Sequence, residues 1–116
     1  METTEDLQQT GEQFLIFQQE GQILGAVAYV HTNDTLEICR LIVSPGHFRQ
    51  GIAGRLLEAV EDVEPGIKHL LVSTAEKNFP AISLYQKHGY SITQQIVLPD
   101  GLMLVQLHKQ VRLEQQ

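Results

Sequence analysis

The sequence predicts a mixed α/β fold, a single sheet in the order β-β-β-α-β-α-β-β with one locally parallel strand pair in its middle. Three observations predict it. Up to Val43 the apolar residues come in β-type runs separated by turn signals. From Gly51 the apolar spacing changes to that of a helix. Beyond a second helical segment, two further β-type runs flank Pro99-Asp100-Gly101, a strong turn sequence.

In order along the chain, residues 1–12 are polar and are expected to fray. Phe14-Leu15-Ile16-Phe17 and the run from Ile23 to Val30 read as strands joined by a hairpin turn at Glu20-Gly21. Thr32-Asn33-Asp34 is the next turn signal, and Leu36 to Val43 the third strand of the meander. After Pro45-Gly46, Ile52, Leu56, Leu57, Val60 and Val63 mark one apolar face of a helix that Pro65-Gly66 ends. His69 to Ser73 is short and mostly apolar, as a buried strand would be. Asn78 is placed to cap the second helix, with Pro80 in its first turn and Gly89 as its left-handed stop. Ser91 to Leu98 and Leu102 to His108 form the closing hairpin.

The chain has 116 residues, 42% of them hydrophobic, which suits one domain over 1–116 that folds without disulfide or metal. No apolar run approaches the roughly 18 residues of a membrane span, and the acidic first residues are unlike a signal peptide. The default expectation is a cytoplasmic protein. A single cysteine, Cys39, agrees with a reducing compartment and is read as a small buried residue. The net charge of −6 is lopsided: residues 1–39 hold seven acids and no Lys or Arg, residues 40–116 seven acids against eight bases. That balance argues against a nucleic-acid binder and permits an anion site in the second part. Neither Cys39 nor the histidines at 47, 69, 88 and 108 show metal-ligand spacing, so no metal is expected.

The stretch Pro45-Gly46-His47-Phe48-Arg49-Gln50-Gly51-Ile52-Ala53-Gly54-Arg55 carries the chemistry. Small residues at Gly51, Ala53 and Gly54 let a ligand approach the backbone, where unpaired amides and the positive end of the helix dipole favour an anion. Together with Leu41-Ile42-Val43-Ser44-Pro45 upstream and Asn78-Phe79-Pro80-Ala81-Ile82-Ser83-Leu84-Tyr85-Gln86-Lys87-His88-Gly89-Tyr90 downstream, it resembles the GCN5-related N-acetyltransferase (GNAT) superfamily, from about Phe14 to His108.

The resemblance implies the GNAT-like acyl-CoA N-acyltransferase fold and acetyl-CoA as cosubstrate. The family's pyrophosphate loop reads Gln or Arg, two residues, Gly, one residue, then Gly or Ala. Gly51 and Ala53 match its last two positions, whereas Phe48 stands at the first and Arg49 one place later. The implied cradle is Arg49, Gln50, Gly51, Ile52, Ala53 and Gly54, with Arg55 either near a phosphate or a solvated surface residue. Leu41, Ile42 and Val43 take the position whose backbone meets the pantetheine arm. Asn78, a cap or a cofactor contact, and Tyr85, a core residue or the acid that protonates the departing thiolate, are two helical turns apart and share a face. Glu37 is the candidate base; its alternative is a wet-face carboxylate paired with Arg40, and His31 and Tyr29 are further candidates.

Relatives carry a strand and two helices ahead of the position of Phe14, where this sequence has about a dozen residues, so the resemblance is to a short form. An uncovered apolar sheet face would then favour a homodimer. The expected function is acetyl transfer from acetyl-CoA to a primary amine by direct attack in a ternary complex. The alternative is a CoA-binding regulatory or partner-dependent module without catalysis of its own. A nucleotide-phosphate binder is disfavoured, because no Lys follows the glycines and no dinucleotide fingerprint is present.

Overall fold

A computed structural model describes residues 2–7, 11–47 and 51–111. Its strands are β1 (Glu2–Leu7), β2 (Glu12–Gln19), β3 (Gln22–Thr32), β4 (Thr35–Val43), β5 (His69–Ala75), β6 (Ser91–Val97) and β7 (Met103–Gln110). Its α-helices are α1 (Ile52–Val60), between β4 and β5, and α2 (Phe79–Lys87), between β5 and β6. The strands form one sheet in the order β1-β2-β3-β4-β5-β7-β6. Every neighbouring pair is antiparallel except β4 and β5. This is the expected sheet with one strand added in front.

That added strand corrects the expectation of a frayed start. Glu2–Leu7 pairs with β2, from Glu2 opposite Ile16 to Leu7 opposite Glu12. Gly11, at φ 74, supplies a left-handed residue ahead of β2. Without β1 the outer amides and carbonyls of β2 would form the sheet edge, and a polar segment can satisfy them as well as an apolar one. Polarity therefore misled where backbone pairing decided.

The hairpin at Glu20-Gly21 has both central residues at positive φ, 52 and 79, the primed turn whose twist matches its strands. At the next turn Asn33 adopts φ 56, a conformation asparagine tolerates better than most residues. Leu56, Leu57 and Val60 of α1 are fully buried, and Ile52 nearly so, against the sheet. Gly25 on β3 lets that helix come close: a Cβ there would lie 2.9 Å from both the Ile42 carbonyl oxygen and Ile52 Cγ2. α2 is capped by Asn78, carries Pro80 in its first turn and stops at Gly89, φ 97, where the Tyr90 amide donates to the Tyr85 carbonyl at 3.0 Å.

Both crossovers, β4-α1-β5 and β5-α2-β6, advance in the same direction across the sheet, so right-handed connections put both helices on one face. The core lies between them and the sheet, built from alternate strand residues such as Leu15, Val27, Leu36, Ile38, Leu70 and Leu107. The opposite face carries no helix among the described residues. There Phe14, Ile16 and Leu71 are half-buried, and Glu37, Arg40 and Ile42 are exposed.

Candidate active site

The sheet is split in its middle. β4 and β5 pair only from Thr35–His69 to Ile38–Val72. Beyond that point Leu41, Ile42 and Val43 continue the ladder with Val27, Ala26 and Gly25 of β3, while Ser73, Thr74 and Ala75 continue theirs with β7. The two strands separate because β4 carries a bulge: Ala28 faces Arg40 and Tyr29 faces Ile38, leaving Cys39 as the extra residue. The inner edge of residues 41–43 is thus left without a β partner, the arrangement that presents backbone groups to a ligand.

A cavity of about 660 Å³ opens on the helix side of the split, bounded by Leu41 and Val43, the first turn of α1 and one side of α2. A second, of about 290 Å³, lies at the bulge and is bounded by Cys39, Arg40, Ser73 and Thr74. Leu41, Asn78, Ala81 and Tyr85 line both, so the two cavities meet across the split.

At the mouth of the larger cavity, Gly51 caps α1 in the left-handed conformation (φ 78, ψ 9) with no side-chain cap. The Arg55 amide donates to the Gly51 carbonyl at 3.0 Å, the first bond of the helix, so the Ile52, Ala53 and Gly54 amides have no acceptor within it. No acidic residue stands in this first turn. A Cβ on Gly51 would meet nothing within 4 Å among the described residues. Free amides, a helix dipole and no opposing carboxylate among the described residues fit a pyrophosphate, and the unpaired β4 edge fits the amides of a pantetheine arm. Phe48, Arg49 and Gln50 lie outside the described residues. Arg55 stacks over the Phe17 ring, 5.5 Å from its centroid, away from a phosphate role.

Tyr85 is 6% exposed, and burial pushes its phenol above the usual range, which keeps it protonated at neutral pH. Its ring leans on that of Tyr90, with centroids 5.7 Å apart. Asn78 does its capping work, accepting from the Ala81 amide at 3.3 Å and donating to Thr74 Oγ1 at 3.3 Å, while lining both cavities.

Glu37 is not brought to this place. It is exposed on the helix-free face and lines neither cavity. Arg40, its expected partner, pairs with Glu12 instead. His31 Nε2 donates to the Asn33 carbonyl at 2.7 Å in the β3–β4 turn, and Tyr29 is a core residue, 1% exposed. Cys39, expected to be buried, is exposed, because the bulge takes it out of the inward-facing alternation. Partial burial, then Glu12 and Glu37, push its thiol upward, so it stays protonated.

Sequence reasoning missed Lys87 and His88, which line the larger cavity. The signal was present, since Ala81, Leu84, Tyr85 and His88 follow helical spacing and share one stripe of α2. Thr74 and Ser73 were missed because only the bulge reveals that the end of β5 faces a cavity.

A profile of the acetyltransferase (GNAT) family matches residues 2–90. The chain is similar to the UPF0157 protein YqkA of Bacillus subtilis, 36% identical over 107 residues, which is 92% of this chain and 31% of that protein. It is 30% identical over 77 residues to the peptidyl-lysine N-acetyltransferase YiaC of Escherichia coli, covering 66% of this chain and 49% of that one. The chain thus matches 31% of the length of the first of these curated relatives and 49% of the second. Among solved structures, a GNAT family acetyltransferase from Elizabethkingia anophelis, with acetyl-CoA bound, superposes with a TM-score of 0.76 at 22% identity, covering 89% of this chain and 78% of that one. An acetyltransferase from Bacillus cereus does so at 0.74 and 28% identity, covering 86% and 73%. The sheet order, the split between its parallel strands and the bare helix start at the mouth of the split define an acetyltransferase fold. The chain belongs to the GNAT acetyltransferase family.

Proposed function

We propose that this chain transfers the acetyl group of acetyl-CoA to a primary amine by direct attack in a ternary complex. The observation that carries the reading is the pair of cavities meeting across the split sheet, with the protonated Tyr85 lining both. When bound, acetyl-CoA supplies a thioester carbonyl that an amine can attack. The chain's own groups do the rest. The Ile52, Ala53 and Gly54 amides hold the pyrophosphate, joined by Arg49, Gln50 and Gly51 of the loop, and the backbone of Leu41, Ile42 and Val43 holds the pantetheine arm. Asn78 fixes the start of α2 beside that arm. Tyr85 gives its proton to the departing sulfur. The amine enters from the smaller cavity, and Glu37, two residues before Cys39 on the same strand, takes its proton through water rather than by contact.

A second reading, a CoA-binding module without catalysis of its own, is favoured by one observation: the smaller cavity is lined by no carboxylate or histidine among the described residues. The homodimer belongs to the same proposal, with a second copy covering the helix-free face at Phe14, Ile16 and Leu71; sedimentation velocity across a concentration series tests it. The cytoplasmic location also stands as a proposal.

Calorimetric titration with CoA and acetyl-CoA, followed by a screen of amines, tests the main reading. Saturable binding with turnover of at least one amine supports the enzyme. Binding without turnover supports the module, and no binding of either ligand overturns both.

A further inference from the structure

α2 meets α1 at one closely fitted point. A Cβ on Gly54 would lie 3.0 Å from His88 Nε2 and 3.1 Å from its Cε1, so the His88 ring fills the room that the glycine leaves. Gly54 and the His88 ring are therefore in close contact, whatever the glycine also offers a ligand. The contact brings the last turn of α2, with Lys87 and the C-cap His88, to the cavity that holds the free amides of the first turn of α1.

The charge at that place is opposite to that of the molecule. The chain carries −6 overall, yet the larger cavity is lined by no Asp or Glu among the described residues, and its cationic or imidazole groups are Lys87 and His88. The family's loop begins with Gln or Arg where this sequence has Phe48, a side chain with neither charge nor hydrogen-bond donor. We infer that Lys87 and His88 supply, from the end of α2, the side-chain contact to the CoA pyrophosphate that the loop's first position does not. Gly54 is then the residue that positions His88. This rests on the acetyl-CoA reading above, and it assigns to α2 the donors that complete the α1 amide cradle.

Calorimetry on the full chain with CoA, with dephospho-CoA, which lacks the 3′-phosphate, and with pantetheine, which lacks all phosphates, tests the inference. Lys87→Met and His88→Leu should each weaken CoA and dephospho-CoA by about tenfold or more, as lost hydrogen bonds to a charged group do. Pantetheine binding should be unchanged, and Lys87→Arg should restore most of the CoA affinity. Gly54→Ala should weaken CoA in the wild-type background and cost nothing further in a His88→Ala chain, since the crowded ring is then gone.

CoA binding in both variants as tight as in the wild type overturns the inference. So does an equal loss for pantetheine, which would mark a structural role, or a loss confined to CoA, which would place the two groups at the 3′-phosphate. Failure of the wild type itself to bind CoA is the separate result that removes the acetyl-CoA reading, and this inference with it.

Discussion

Tyr85 and Tyr90 are neighbours with different tasks. Tyr85 lines both cavities; Tyr90 is 2% exposed, and its hydroxyl finds no hydrogen-bond partner among the described residues. Tyr85→Phe keeps the ring and removes the proton, so turnover of an accepted amine should fall about 10²-fold or more while the CoA dissociation constant holds, read from steady-state kinetics beside calorimetry. Tyr90→Phe removes a buried hydroxyl that pairs with none of the described residues, and a urea midpoint equal to or above that of the wild type is expected. At Gly51 any other residue is held at φ 78, and Gly51→Glu also sets a carboxylate before the free amides of the first turn of α1. CoA binding should be lost in that variant while a thermal melt still reports a folded chain, at a backbone cost of roughly 1–2 kcal/mol.

At the level of elements, the site is made by irregularities in regular strands. The β4 bulge turns Cys39 outward and parts β4 from β5, and that parting exposes the edge at Leu41–Val43. Gly25 supports the arrangement from β3, since it lets Ile52 and Leu56 of α1 close over the end of β4. Gly25→Ala would push a methyl to 2.9 Å from a backbone oxygen, which cannot swing aside as a side-chain end can. A loss of about 1–3 kcal/mol is expected, seen as a lower urea midpoint at unchanged slope.

For the whole molecule, the buried phenols set a limit at high pH. Burial raises Tyr29, Tyr85 and Tyr90 above their ordinary value; Glu64 adds to the first, and Glu61 then Tyr85 to the last. Below about pH 10 both folded and unfolded chains keep these protons, and the stability is fully present. As the pH rises past about 10 the unfolded chain loses them first. Stability should therefore fall, by up to about 1.4 kcal/mol per pH unit for each tyrosine. Melting temperatures from pH 8 to 11.5 check this; a chain carrying Tyr90→Phe should lose less, and a flat profile would contradict the burial argument.

The sequence by itself determined that there are two helices, although α1 closes at Val60, ahead of Val63 and Pro65-Gly66, and it determined the hairpins at Glu20-Gly21 and Pro99-Asp100-Gly101, the parallel pair and the family. Each of these rests on spacing, turn residues or motif residues that act locally, and the stripe from Asn78 to Tyr85 was legible for the same reason. Other features depended on which backbone groups find partners across the sheet. A polar start became β1 because β2 has an edge to pair, and Cys39 turned outward because β4 gained one residue against β3. Glu37 came to stand apart from Tyr85 because strand alternation puts it on the face without helices, and His88 reached the larger cavity beside the first turn of α1, its ring against Gly54. Local chemistry writes turns, periods and motifs into a sequence, whereas register and helix-to-helix contact join residues far apart in the chain, and those only the tertiary structure decided.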